Sequence, residues 1–236
     1  MRINVHAGHN PDGKIACGAV GLMKESTEAR NVKSEVIRQL KQLGHTVYDC
    51  TCEDGTSQTN VLTKIVSACN AHAVDLDVSI HFNSGYGDKN GNGKTTGVEV
   101  LIYNEASQAK ETAEKVCESI SELGFKNRGV KVRSDLYFLR KTNAPAMLIE
   151  CCFVDDKDDV NLYDSQSMAG AIVYGITGKR ADQTDEAETS AQNKSQSEAT
   201  EQMYRVQVGA YRSKSNAESM QTKLKKAGFD AVIVRV

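Results

Sequence analysis

The sequence predicts an α/β fold: a mainly parallel, twisted sheet with helices on both faces, followed by a small β-α-β module. Three observations carry this expectation. Strand-like and helix-like patterns alternate along residues 1–177. The run AMLIECCFV (146–154) is apolar but for Glu150, as in a strand buried on both faces. Residues 180–202 hold no large apolar side chain and set off a short tail.

The elements follow in order. Ile3-Asn4-Val5 reads as a strand that stops on Gly8-His9-Asn10. From Ser26 to Leu43, Val32, Val36, Leu40 and Leu43 recur at helical spacing, and Gly44 ends the helix. HTVYDC (45–50) is a strand, and Val61, Ile65, Val66, Cys69 and Ala73 mark a second helix face. LDVSIHF (76–82) is a strand, followed by SGYGDKNGNGKTTG, a loop too polar to bury. GVEVLIY (97–103) is a strand, 105–123 a helix up to Gly124, 146–154 the apolar strand, and 159–177 a last helix. After a solvated acidic linker (180–202), YRVQVGAY, a helix over 214–227 and DAVIVRV form the tail (203–236).

Composition bounds the function. At 39% hydrophobic and 25% charged, the 236 residues suit a globular chain. A net charge of −2 marks neither a nucleic-acid partner nor a membrane-surface binder, and no apolar run is long enough to span a membrane. Charge is uneven, however: the tail carries seven Lys/Arg against two Asp/Glu, the linker two against six. The seven cysteines are scattered through apolar segments without zinc-knuckle spacing, as expected of reduced thiols. Met1-Arg2 leads into a strand without an apolar leader, which predicts synthesis in a cytoplasm.

In open α/β sheets, sites form beyond the carboxyl ends of the strands, so polar residues there are the candidates. His9 follows the first strand, His81 lies near the end of the third, and Glu25 precedes the first helix. Glu150 sits inside the apolar strand, where an ionised carboxylate is costly unless paired, ligated or neutralised. Two imidazoles and a carboxylate form a zinc ligand set that leaves a position for water, and a further glutamate supplies a general base. A metal-free His/Glu acid-base pair leaves the second histidine unused.

AGHN at the first strand end, the acidic opening of the first helix, SIHFNS and PAMLIECCFVDD together resemble the zinc-dependent N-acetylmuramoyl-L-alanine amidases. The resemblance is to the type 3 family, especially its clostridial and phage endolysin members, and covers residues 1–179. It implies zinc held by His9, Glu25 and His81, with Glu150 catalytic. Glu28, one turn after Glu25, is the alternative third ligand. His6-Ala7 stands where many family members carry Asp-Pro, so His6 is a supporting or decoy residue. Asn83 and Arg140, near the same strand ends, are candidates for orienting substrate.

The tail resembles a SPOR peptidoglycan-binding repeat but covers about half of a full domain. A lone β-α-β unit leaves a sheet edge open, so it is expected to pair with a second copy as a homodimer. The resulting expectation is a peptidoglycan hydrolase, an endolysin held in the host cytoplasm until it reaches the wall. It would cleave the amide between N-acetylmuramic acid and L-alanine. The rival readings are a wall-binding protein with a structural metal and a zinc peptidase acting within the stem peptide.

Overall fold

Six strands form one sheet in the order β2-β1-β3-β6-β4-β5. They are β1 (Arg2–Ala7), β2 (Thr46–Asp49), β3 (Leu76–Asn83), β4 (Val98–Ile102), β5 (Asn127–Val132) and β6 (Ala146–Phe153). The helices are α1 (Glu25–Gln42), α2 (Gln58–Asn70), α3 (Lys110–Ser121), α4 (Tyr137–Lys141), α5 (Lys157–Leu162) and α6 (Ser165–Thr177). This computed structural model describes residues 1–181 and, beyond them, 218, 220–222, 224, 225, 228, 229 and 231–234.

All strand pairs are parallel except β4–β6, which runs antiparallel. Alternation along each strand divides the two faces. Ile3, Val5 and Ala7, Val78 and Ile80, Val100 and Ile102, and Met147 and Ile149 belong to the core shared with α1, α3 and α6. On α1, Val32, Val36 and Leu40 supply the buried stripe that the spacing predicts. Leu101, Ala146 and Leu148 belong to a smaller core under α2 and α4. Every other residue of the central strands therefore faces this thinner cover: Asn4 and His6, Asp77, Ser79 and His81, and Glu150.

Three features depart from the sequence expectation. NRGVKV forms the edge strand β5, whose Arg128 and Lys131 suit solvent contact and obscure a hydrophobic pattern. The short helix α4 was not anticipated either. The helix expected over 159–177 is two helices, α5 and α6, broken at Tyr163-Asp164, where the Asp164 carboxylate caps α6 by accepting from Ser167 N.

All seven cysteines are free thiols, six of them buried. No helix among the described residues is long and apolar enough to cross a membrane. The chain divides into two compact units, Met1–Gln192 and Asn193–Val236. In the second, the described residues between 218 and 225 are helical. The tail strand expected at its end is not seen: residues 231–234 carry no strand, and the segment expected to pair with them, 204–211, lies outside the described residues. So does most of the segment expected to be a linker, 180–202.

Candidate metal centre and cleft

The turn after β1 is built to hold His9. Buried Asn10 donates through Nδ2 to Ile15 O and Gly55 O (both 2.7 Å), and its Oδ1 accepts from Gly55 N (2.9 Å). Arg30, reaching across from α1, donates to His9 O (3.1 Å) and Cys52 O (3.0 Å). These ties hold His9 at φ 67°, a left-handed conformation uncommon for a side-chain-bearing residue. Two glycines clear the space beside it. A Cβ on Gly8 would lie 2.0 Å from His81 Cε1, and one on Gly18 2.5 Å from Glu25 Oε2.

Glu25, the first residue of α1, brings the histidines together. Its Oε1 lies 3.2 Å from His9 Nε2 and 2.9 Å from His81 Nδ1. Backbone amides of Ala19 (2.7 Å, to Oε2) and Phe82 (3.3 Å, to Oε1) orient the carboxylate. One ligand atom from each of His9, Glu25 and His81 falls within 4.8 Å of the others, and the imidazoles meet edge to face at 4.8 Å between centroids. Burial pushes the Glu25 carboxyl up, but hydrogen bonds from His81 and His9 outweigh it and hold the group well below its usual range. Burial lowers His81, and Glu25 offsets this in part. Glu28 points elsewhere, accepting from Tyr163 Oη and Asn31 Nδ2 (both 3.0 Å).

Glu150, on β6, is the register partner of His81 on β3 and of Glu99 on β4. Its Oε2 is buried without a hydrogen-bond partner among the described residues. Burial raises its carboxyl to about 8; the negative charges of Glu25 and Glu99 add to this, while Arg133 opposes it. Glu99 itself is paired, accepting from Asn83 Nδ2 and Arg128 Nε (both 2.9 Å).

His9, His81 and Glu150 line a cleft of about 240 Å³. Val61, Leu62 and Ile65 of α2 form one wall; Leu136, Tyr137 and Phe138 form the other, with Arg133 beside them. His6 and Ser79, both buried, complete the lining on the sheet side. Burial, and then the neighbouring His81, lower the His6 imidazole to about 3, so it is neutral. Asn83 sits beside the site through Glu99, whereas Arg140, exposed in the last turn of α4, is not among the cleft-lining residues. Arg133, in the short charged stretch after β5, and the aromatic wall, Tyr137 and Phe138 at the start of the five-residue α4, carry no periodic signal in the sequence.

The donors fit a zinc ion. Two imidazoles and one carboxylate converge, both histidines line the cleft, and Glu150 stands beside them with a free oxygen.

The sequence profile of the family described as N-acetylmuramoyl-L-alanine amidase matches residues 3–178, and that of the SPOR domain matches residues 179–235. An uncharacterized protein of Clostridium perfringens (strain 13 / Type A) is 36% identical over 164 residues, which cover 69% of this chain and 47% of that protein. The N-acetylmuramoyl-L-alanine amidase CwlM of Bacillus licheniformis is 31% identical over 181 residues, covering 76% of this chain and 64% of its own length. The chain thus spans about half the length of the clostridial relatives and under two thirds of CwlM. Among solved structures, the catalytic domain of the CD27L endolysin targeting Clostridia difficile superposes with a TM-score of 0.66 at 27% identity. That match covers 76% of this chain and 98% of the endolysin domain.

Proposed function

We propose, from the premise that the chain belongs to the N-acetylmuramoyl-L-alanine amidase family, that it hydrolyses the amide joining N-acetylmuramic acid to L-alanine in peptidoglycan. One observation carries this reading: His9, Glu25 and His81 converge beside a carboxylate, Glu150, whose Oε2 has no partner among the described residues.

Residues His9, Glu25 and His81 would hold zinc, which when bound supplies a Lewis acid for the scissile carbonyl and acidifies water. Glu150 takes a proton from the attacking water and returns it to the leaving amine. Burial, which raises its carboxyl in the metal-free chain, favours keeping the proton on it until the amine leaves. Glu99, neutralised by Arg128, keeps the negative charge on the far side of Glu150 moderate. The apolar walls from α2 and α4 keep bulk water from the cleft and accommodate a small side chain such as that of alanine. The SPOR-matching segment would hold the enzyme on the wall.

The test is product analysis on purified walls. A new N-terminal alanine without new reducing sugar, lost with a chelator and restored by zinc, is the expected result. A different new N-terminus would move the cut into the stem peptide, and no product with zinc bound would make the protein a binder.

A further inference from the structure

One residue pair back along the strands from His81, the cleft lining holds two polar groups that the reaction does not use. His6 on β1 and Ser79 on β3 are register partners, so their side chains share the face under α2 and α4. They are 1% and 0% exposed. His6 Nδ1 lies 3.2 Å from Ala7 O. A carbonyl oxygen only accepts, so Nδ1 carries the proton and Nε2 presents a lone pair. Neither Nε2 nor Ser79 Oγ has a hydrogen-bond partner among the described residues, and both residues line the cleft. Buried polar atoms in native proteins are rarely left so, and a ligand or water completes them. Phe138 packs its ring edgewise on His6 at 4.7 Å and fixes the imidazole in place.

We propose that His6 and Ser79 form a peptide-reading floor: Nε2 accepts a substrate N–H, and the Ser79 hydroxyl donates to a neighbouring carbonyl. The ligand class is an extended peptide, whose residues each present N–H and C=O to the same side, as in a strand pair. Two residues of strand separate Ser79 from His81, roughly 7 Å, and an extended peptide advances about 3.4 Å per residue. With the scissile carbonyl over the His9–Glu25–His81 cluster, the first amide beyond L-alanine is the donor nearest His6. This rests on the amidase reading and adds to it the residues that recognise the peptide side of the bond.

The experiment uses the full chain carrying Glu150→Gln, so that ligand survives the measurement. Calorimetry compares N-acetylmuramoyl-L-alanyl-D-isoglutamine with its depsipeptide analogue, in which an ester oxygen replaces the isoglutamine N–H. Adding His6→Phe should weaken the amide ligand about tenfold, the scale of one neutral hydrogen bond, and leave the ester unchanged. His6→Gln, which keeps an acceptor, should recover most of the loss. Equal weakening of both ligands, or of neither, overturns the floor. Nitrogen NMR of the His6 ring reads the same bond without a second substitution: its Nε2 signal should move with the amide ligand and not with the ester. An unmoved signal with ligand bound also overturns it. If the parent chain binds neither ligand and the wild-type chain frees no alanine N-terminus from walls, the amidase reading fails and takes the floor with it.

Discussion

His81 and Glu150 are register partners on adjacent parallel strands. The ligand candidate and the base candidate are therefore held one strand spacing apart, about 4.8 Å, by the sheet itself. Replacing Glu150 with Gln should leave zinc content and fold unchanged while activity falls by roughly two to four orders of magnitude. Residual activity within a few-fold of wild type removes Glu150 from the chemistry.

The metal-free chain should lose stability as pH rises through neutrality. Glu150 ionises near 4.5 when unfolded but near 8 when folded, so the folded state holds the extra proton between those values. Stability must then fall with rising pH up to about 8. Asp77, raised to about 6 by burial, acts in the same direction at lower pH. His6 and His81, lowered by burial, act in the opposite direction, so urea titrations from pH 6.5 to 8 should show a net decline of about 1 kcal/mol. Glu150→Gln should abolish that decline.

Metal content separates the ligand candidates. Zinc should be lost from His81→Ala and from Glu25→Gln, and retained in Glu28→Gln, whose side chain engages Tyr163 instead. Stoichiometric zinc in the first two variants ends the assignment.

Gly8→Ala adds one methyl group where the His81 ring now stands, 2.0 Å from Cε1. Backbone retreat is opposed by the Gly8 N–H bond to Ile80 O (2.9 Å). We expect the ring to be displaced, stability to drop by about 1–3 kcal/mol, and zinc affinity to fall at least about tenfold. Unchanged affinity in a competition titration contradicts the geometry.

For the tail, the described residues Val232, Ile233 and Val234 are exposed at 83%, 44% and 56%. Apolar residues in such a row favour a covering partner. Sedimentation should find a dimer for the intact chain and a monomer for one ending at Lys179. An intact monomer refutes tail pairing, and a dimeric short chain places the contact in residues 1–179.

Much of the architecture was legible because strand and helix periods are strong where one core is apolar: Val32, Val36 and Leu40 on α1, or the apolar residues on either side of Glu150 in β6. The ligand candidates stand out because His9 and His81 are polar at strand ends. What escaped has physical reasons. Strand β5 is an edge strand with charged residues, α4 is only five residues long, and neither carries a full period of apolar positions. The antiparallel β4 follows from a long polar loop whose length fixes no direction. His6 and Ser79 had a readable signal after all. Asn4/His6 and Asp77/Ser79/His81 interleave polar with apolar residues in strands that a doubly covered parallel sheet would make apolar throughout.

That interleaving leaves the two sides of the sheet under different constraints. Three helices seal one side, and substitutions there meet a close-packed interior. On the other, α2, the five-residue α4 and the segment around Arg133 form a thin roof over the polar row. Variation in that roof can reshape what enters the cleft while the sealed side goes on specifying the fold. Such a division makes the scaffold easy to diversify: libraries confined to the unburied lining residues Gln58, Leu62, Arg133, Leu136 and Tyr137 should yield altered substrate preference at little expense in folding yield.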